Sequence, residues 1–146
     1  MDNLSRKRRS EMMSRVRSKN TKPEMTVRRI AFAMGFRYRL HVRKLAGSPD
    51  LVFQKLGKAI FVHGCFWHGH SCPRGNFPST NVDFWTQKIT SNRARDRHAL
   101  RALRANGWSV LTMWECELKS DVLVRNRLAR FLKGSKSQLK RKVKAN

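Results

Sequence analysis

The amino-acid sequence predicts an α/β domain in which helices flank a small mixed β-sheet. Two observations carry this. From residue 58 to about 116 the chain reads strand, long helix, strand, the βαβ signature that implies a parallel pair and a right-handed crossover. Ahead of it lie an amphipathic helix and two short strand-like runs, in a 146-residue chain long enough to bury a core without a disulfide scaffold.

Each element has a local cause. Residues 1–20, with RKRR and RVRSK, read as a basic arm. TKPE opens a helix: Thr21 is the N-cap, Pro23 falls in the first turn, and Glu24 stands three residues after the cap in the capping-box pattern. Val27, Ile30, Ala31 and Met34 give this helix an apolar stripe, and Gly35 ends it. Three strands are predicted at 36–41, 50–55 and 58–63, the last two joined as a hairpin through Leu56–Gly57. Residues 64–80, punctuated by Gly and Pro, read as loop. A helix spans about 82–105 and closes at Asn106–Gly107. WSVLTMWEC is apolar enough to predict a strand buried on both faces, and a last helix covers about 121–133. The domain is expected over 21–133, followed by a basic tail, 134–146, of low apolar content and expected disorder.

Charge narrows the partners. Lys and Arg number 33 against nine Asp and Glu, a formal charge of +24 spread along the chain, and such a field attracts nucleic acid. No run approaches the apolar length of a membrane span, and the basic N-terminus lacks the apolar segment of a signal peptide, so a cytoplasmic protein without a membrane partner is expected.

Three cysteines, an odd count, favour thiolate ligands over a disulfide framework. Cys65, His70 and Cys72 lie within eight positions, and Cys116 ends the strand expected beside the one that ends just before Cys65. Together they make a Cys3His set suited to tetrahedral structural zinc. A Cys65–Cys72 disulfide or plain buried thiols are the alternatives.

His63 and His68 flank this knot without belonging to it. Asp50, after the turn GSPD, starts a strand where its carboxylate can project from the sheet edge beside the end of the 58–63 strand. Such a carboxylate can hold magnesium, and a histidine can move protons, as phosphodiester cleavage requires. On the long helix Trp85, Ile89, Leu100 and Leu103 share a face, to which Asp96 returns after eleven residues. An acid there needs a partner, either His63, His68 or one of the arginines around it. Glu24 is explained by its cap alone, or it faces inward toward the same chemistry.

Taken together, Pro49–Asp50, FVHGCFWHGHSC at 61–72, Phe84–Trp85, Lys88–Ile89, RDR at 95–97, Gly107–Trp108 and WEC at 114–116 resemble the very short patch repair (Vsr) endonucleases. Those enzymes nick one strand at T:G mismatches. The resemblance implies a restriction-endonuclease-like fold, magnesium-dependent hydrolysis and a structural zinc. By position it makes Asp50 the magnesium carboxylate with the Val62 backbone carbonyl as second ligand. It groups His63, His68, Asp96 and Glu24 as catalytic, with His68 assisting the attacking water or the scissile phosphate. Cys65, His70, Cys72 and Cys116 match the zinc ligands.

Phe66 and Trp67, supported by Trp85, match aromatics that enter the DNA stack, and Met13 on the arm matches a residue inserted from the opposite groove. A zinc-stiffened loop suits that task, because a floppy wedge loses unstacking energy to its own entropy. Core packing is the other explanation for Phe66 and Trp67. The sequence departs from many nuclease relatives in lacking an acid and lysine within FVHG, and Ser48 stands where close relatives would carry Arg. The implied protein is a monomer acting on mismatched double-stranded DNA, functionally linked to a cytosine methyltransferase and repair proteins. A noncatalytic zinc-stabilised nucleic-acid binder, or a same-fold nuclease with altered mismatch choice, would also account for charge, cysteines and aromatics.

Overall fold

A computed structural model describes residues 20–75 and 79–134. Helix α1, Lys22–Ala33, begins as its sequence directs: Thr21 Oγ1 accepts the Glu24 N–H at 3.3 Å. The return half of the cap runs to Asn20, whose N–H donates to Glu24 Oε1 at 3.2 Å. Val27, Ile30 and Ala31 are buried on one face, and Glu24 is buried with them. Gly35, at φ 93°, turns the chain out of the helix.

Four strands follow, β1 (Arg39–Leu40), β2 (Leu51–Phe53), β3 (Lys58–His63) and β4 (Ser109–Trp114), in sheet order β1-β2-β3-β4. The first three are antiparallel neighbours and β3–β4 is parallel, bridged by helix α2, Val82–Ala105, as the βαβ pattern requires. Helix α3, Asp121–Leu132, closes the domain, with Ser120 Oγ accepting the Leu123 N–H at its start.

Strand alternation sorts the core into two layers. Leu51, Phe53, Ile60 and Met113 pack against Val27, Ile30 and Ala31 of α1 and Val124, Leu128 and Leu132 of α3. Val52, Ala59 and Phe61 point the other way, onto Ala99 and Leu103 of α2 and onto Trp108. Burying a side chain of this kind contributes about 1.5–3 kcal/mol, so both faces of the sheet bear on stability. Lys58, buried at the start of β3, donates Nζ to the carbonyls of Phe131 and Gly134 at the end of α3, satisfying an otherwise costly charge.

Several expectations need correction. The first two strands are shorter than predicted. Only Arg39 and Leu40 of 36–41 enter the sheet, and β2 ends at Phe53 because Gln54–Leu56 curl into a 3-10 turn. Gly57, at φ 65°, then reverses the chain into β3. Strand β4 is not buried on both faces: Met113 alone is fully buried, since β4 lies at the sheet edge with one neighbour. On α2, Ala99 takes the deep position beside Leu103, and Leu100 is half-buried. Met13, most of the basic arm and nearly all of the basic tail lie outside the described residues. Among the described residues no helix is long and apolar enough to cross a membrane.

Candidate active site and metal centre

The parallel register of β3 and β4 sets His63 opposite Trp114. Two residues beyond the end of each strand stand Cys65 and Cys116, so the sheet itself brings the remote cysteine to the knot. Ligand atoms of Cys65, His70, Cys72 and Cys116 all lie within 4.8 Å of one another. Cys116 Sγ is 3.5 Å from His70 Nδ1. Metal bonds of about 2.3 Å to sulfur and 2.0–2.1 Å to nitrogen in a tetrahedron leave an edge of about 3.5 Å, so this donor set fits a metal ion. None of the three cysteines is in a disulfide. Burial pushes the Cys65 thiol up to about 12 against the pull of the Cys116 backbone N–H, the Cys72 and Cys116 side chains adding to the rise, and a bound cation would reverse that cost. The loop is also tied internally, His70 N–H donating to the Cys65 carbonyl at 2.9 Å, and the His70 ring stacks on Trp114.

On the other side of β3, the Val62 N–H donates to Asp50 Oδ2 at 2.7 Å. A residue's N–H and C=O face the same neighbour in a strand, which turns the Val62 carbonyl to the Asp50 side as well. Asp50 is raised from 3.8 to about 7, first by burial and further by the nearby Glu24 charge, against the pull of the Val62 N–H and of His41. Glu24, His41 and Asp50 offer ligand atoms within 4.8 Å of one another. Two carboxylates crowded into a buried corner make a donor set that a hard dication fits.

His63 and His68 form a second group with Asp96. His63 continues the α2-facing alternation of Ala59 and Phe61, and Asp96 lies one turn before Ala99 on α2, so strand and helix periodicity meet there. His68 Nδ1 is 2.6 Å from Asp96 Oδ2, while His63 Nε2 is 4.0 Å from Oδ1. The two imidazoles stack in parallel with centroids 3.8 Å apart. Burial, and then the charge of His68, lower His63 from 6.5 to about 4, against the attraction of Asp96. Among the described residues His63 Nδ1 has no hydrogen-bond partner.

Both groups line one open cleft of about 1020 Å³. Phe66 and Trp67 line it too, half-buried and packed edge-on against Trp85 with centroids 5.1–5.8 Å apart. They are not sealed in the core, whereas Trp85 is buried beneath them. Asn92 Nδ2 donates to the Trp67 carbonyl at 2.7 Å. Gly69, at φ 59°, lets the loop approach α2, where an added Cβ would meet Ile89 Cγ2 at 2.6 Å.

Residues 1–74 match the family model described as DNA mismatch endonuclease Vsr. The chain is 47% identical to the Type II nicking enzyme V.XorIIP of Xanthomonas oryzae pv. oryzae, over 90% of this chain and 96% of the relative. The chain belongs to the Vsr family of DNA mismatch endonucleases. The V.NmeAIP nicking enzyme of Neisseria meningitidis serogroup A is 44% identical over 90% of this chain and 94% of its own length. The DNA mismatch endonuclease Vsr of Escherichia coli K12 is 34% identical over 86% of this chain and 84% of its own. Membership makes this chain an endonuclease, and the alternative of a noncatalytic binder falls away.

In this Vsr-family enzyme Asp50, Val62, Glu24, His63, His68, Asp96, Phe66 and Trp67 all line the same cleft. His41 lines it too, and sequence reasoning gave it no role. Its one signal was its place at the end of the predicted 36–41 strand, across from the start of the Asp50 strand.

Proposed function

We propose that this Vsr-family enzyme is a magnesium-dependent endonuclease that nicks one strand beside the thymine of a T:G mismatch, initiating repair of deaminated 5-methylcytosine. The observation that carries this reading is the shared cleft: the Glu24–His41–Asp50 group, the His63–His68–Asp96 group and the Phe66–Trp67 loop all open onto it.

Asp50 and the Val62 carbonyl would hold the cation, which when bound neutralises charge developing on the scissile phosphate. Asp96, as a carboxylate, takes the Nδ1–H of His68 and leaves Nε2 as the nitrogen that can exchange a proton. His68 then assists the water that attacks phosphorus as the P–O bond to the leaving oxygen breaks. His63, held uncharged at neutral pH by burial, backs the His68 ring by stacking and fixes its plane. Glu24 adds a second carboxylate beside Asp50.

Zinc is the ion proposed for Cys65, His70, Cys72 and Cys116, because three thiols and an imidazole with their ligand atoms within 4.8 Å of one another make the soft four-donor set that zinc takes. Bracing by zinc on one side and Asn92 on the other supports Phe66 and Trp67 as a DNA wedge with Trp85 beneath. Unstacking costs a few kcal/mol per step, and least at a mismatched pair, so a wedge favours T:G sites on physical grounds. Met13 of the arm is proposed to enter from the opposite groove. The enzyme would work as a cytoplasmic, nucleoid-associated monomer on double-stranded DNA, after a cytosine methyltransferase has created the vulnerable base.

A panel of end-labelled mismatched and matched duplexes, incubated with magnesium or with EDTA, tests this reading. Cleavage of the thymine strand of T:G duplexes in magnesium alone is expected. Equal cutting of matched DNA, or cutting in EDTA, would contradict it.

A further inference from the structure

His41 stands between two acids and is the cleft residue whose place is least explained by secondary structure. Its backbone extends the β1–β2 ladder: beyond the Leu40–Leu51 pair, the His41 N–H donates to the Asp50 carbonyl at 3.1 Å. There the strand stops, because His41 adopts φ 48°, a left-handed conformation that a side chain other than glycine rarely takes. Such a conformation persists where surrounding contacts over-determine it. The contact here is specific. His41 Nε2 lies 2.9 Å from both carboxylate oxygens of Glu24.

Glu24 is 1% exposed and belongs to another element, the first turn of α1. Among the described residues it also meets Asn20 N–H at 3.2 Å, Arg28 Nη1 at 3.3 Å and the neighbouring Asp50 carboxyl. Without the imidazole, a buried carboxylate would lose its two shortest contacts, and its repulsion with adjacent Asp50 would go unrelieved. A cap at the helix start needs none of this, since Thr21 already supplies it.

We propose that His41 is a positioning residue: anchored through its backbone to the Asp50 main chain and gripping Glu24 through Nε2, it holds the Glu24 carboxylate beside that of Asp50, oriented toward a divalent cation. The inference rests on the reading of Asp50 as a cation ligand. It adds to that reading a residue that itself need not touch the metal.

The test uses the full zinc-loaded chain and Mn2+ as probe, free Mn2+ being followed by electron paramagnetic resonance. Parent, His41→Ala, His41→Gln and Asp50→Ala are compared for Mn2+ affinity, zinc content, melting temperature and binding of a T:G duplex in EDTA. Loss of one hydrogen bond to a charged group predicts about tenfold or more weaker Mn2+ binding by His41→Ala. The Gln amide, which can still donate to Glu24, restores it to within about threefold. Zinc content and EDTA-state DNA binding stay at parental levels in both. Parental Mn2+ affinity in His41→Ala overturns the inference while leaving Asp50 as ligand intact. Mn2+ affinity as weak in His41→Gln as in His41→Ala, with melting lowered in both, also overturns it, because the ring then serves only packing. Parental Mn2+ affinity in Asp50→Ala brings down the cation reading and this inference with it.

Discussion

His68 Nδ1 lies 2.6 Å from Asp96 Oδ2, joining the loop that carries Cys65, His70 and Cys72 to the middle of the long helix α2. The bond selects one tautomer and aims the other ring nitrogen, which is what a proton-transfer group requires. Asp96→Asn removes the charge and lets the amide favour the wrong tautomer. The single-turnover nicking rate should fall by about 10²–10⁴-fold, the span typical of general acid–base catalysis, with T:G duplex affinity in EDTA unchanged. A parental rate would show that Asp96 only anchors the loop.

Cys116 reaches the knot through the β3–β4 register, so replacing it removes one proposed ligand without disturbing the loop sequence. Cys116→Ser should lose stoichiometric zinc by atomic absorption. Melting should drop by about 5–10 °C if the site contributes on the order of 2 kcal/mol. Full zinc occupancy in that variant would end the four-ligand assignment.

His63 predicts a pH signature. In the unfolded chain the ring takes its proton near 6.5 but in the folded chain only near 4, so its contribution is complete above 6.5 and is lost as pH falls toward 4. Asp50 works the other way, its contribution complete below 3.8 and lost as pH rises through about 7. Comparison with His63→Gln isolates the histidine, because the Asp50 contribution is common to both chains. In magnesium-free, zinc-loaded protein, the melting temperature of the parent relative to His63→Gln should fall between about pH 6.5 and 4. A constant difference across that window would contradict the assignment.

The sequence made some of this architecture legible and hid the rest for identifiable reasons. β3, α2 and α3 could be bounded within a residue or so because hydrophobic period, capping residues and Gly stops agree there. The clustering of Cys65, His70, Cys72 and Cys116 was legible because Cys116 follows the strand parallel to the one that precedes Cys65. Strands 36–41 and 50–55 were read too long, since their ends depend on tertiary pairing and on a 3-10 turn with no strong sequence mark. An apolar run such as WSVLTMW looks the same whether it fills the centre or the edge of a sheet. His41 was missed because its partner, Glu24, is seventeen positions away on a helix, and only the packing of α1 on the sheet brings them together. Asp96 was the opposite case: an acid on an apolar helix face announces that it needs a partner, and the partners are His68 and His63.

Asp50 is the residue on which cation binding and cleavage both depend in the proposed mechanism, and nicking of a labelled T:G duplex by Asp50→Ala in magnesium tests that dependence. No detectable nick above background is expected, with duplex affinity in EDTA and zinc content both at parental levels. Nicking at the parental rate would contradict it.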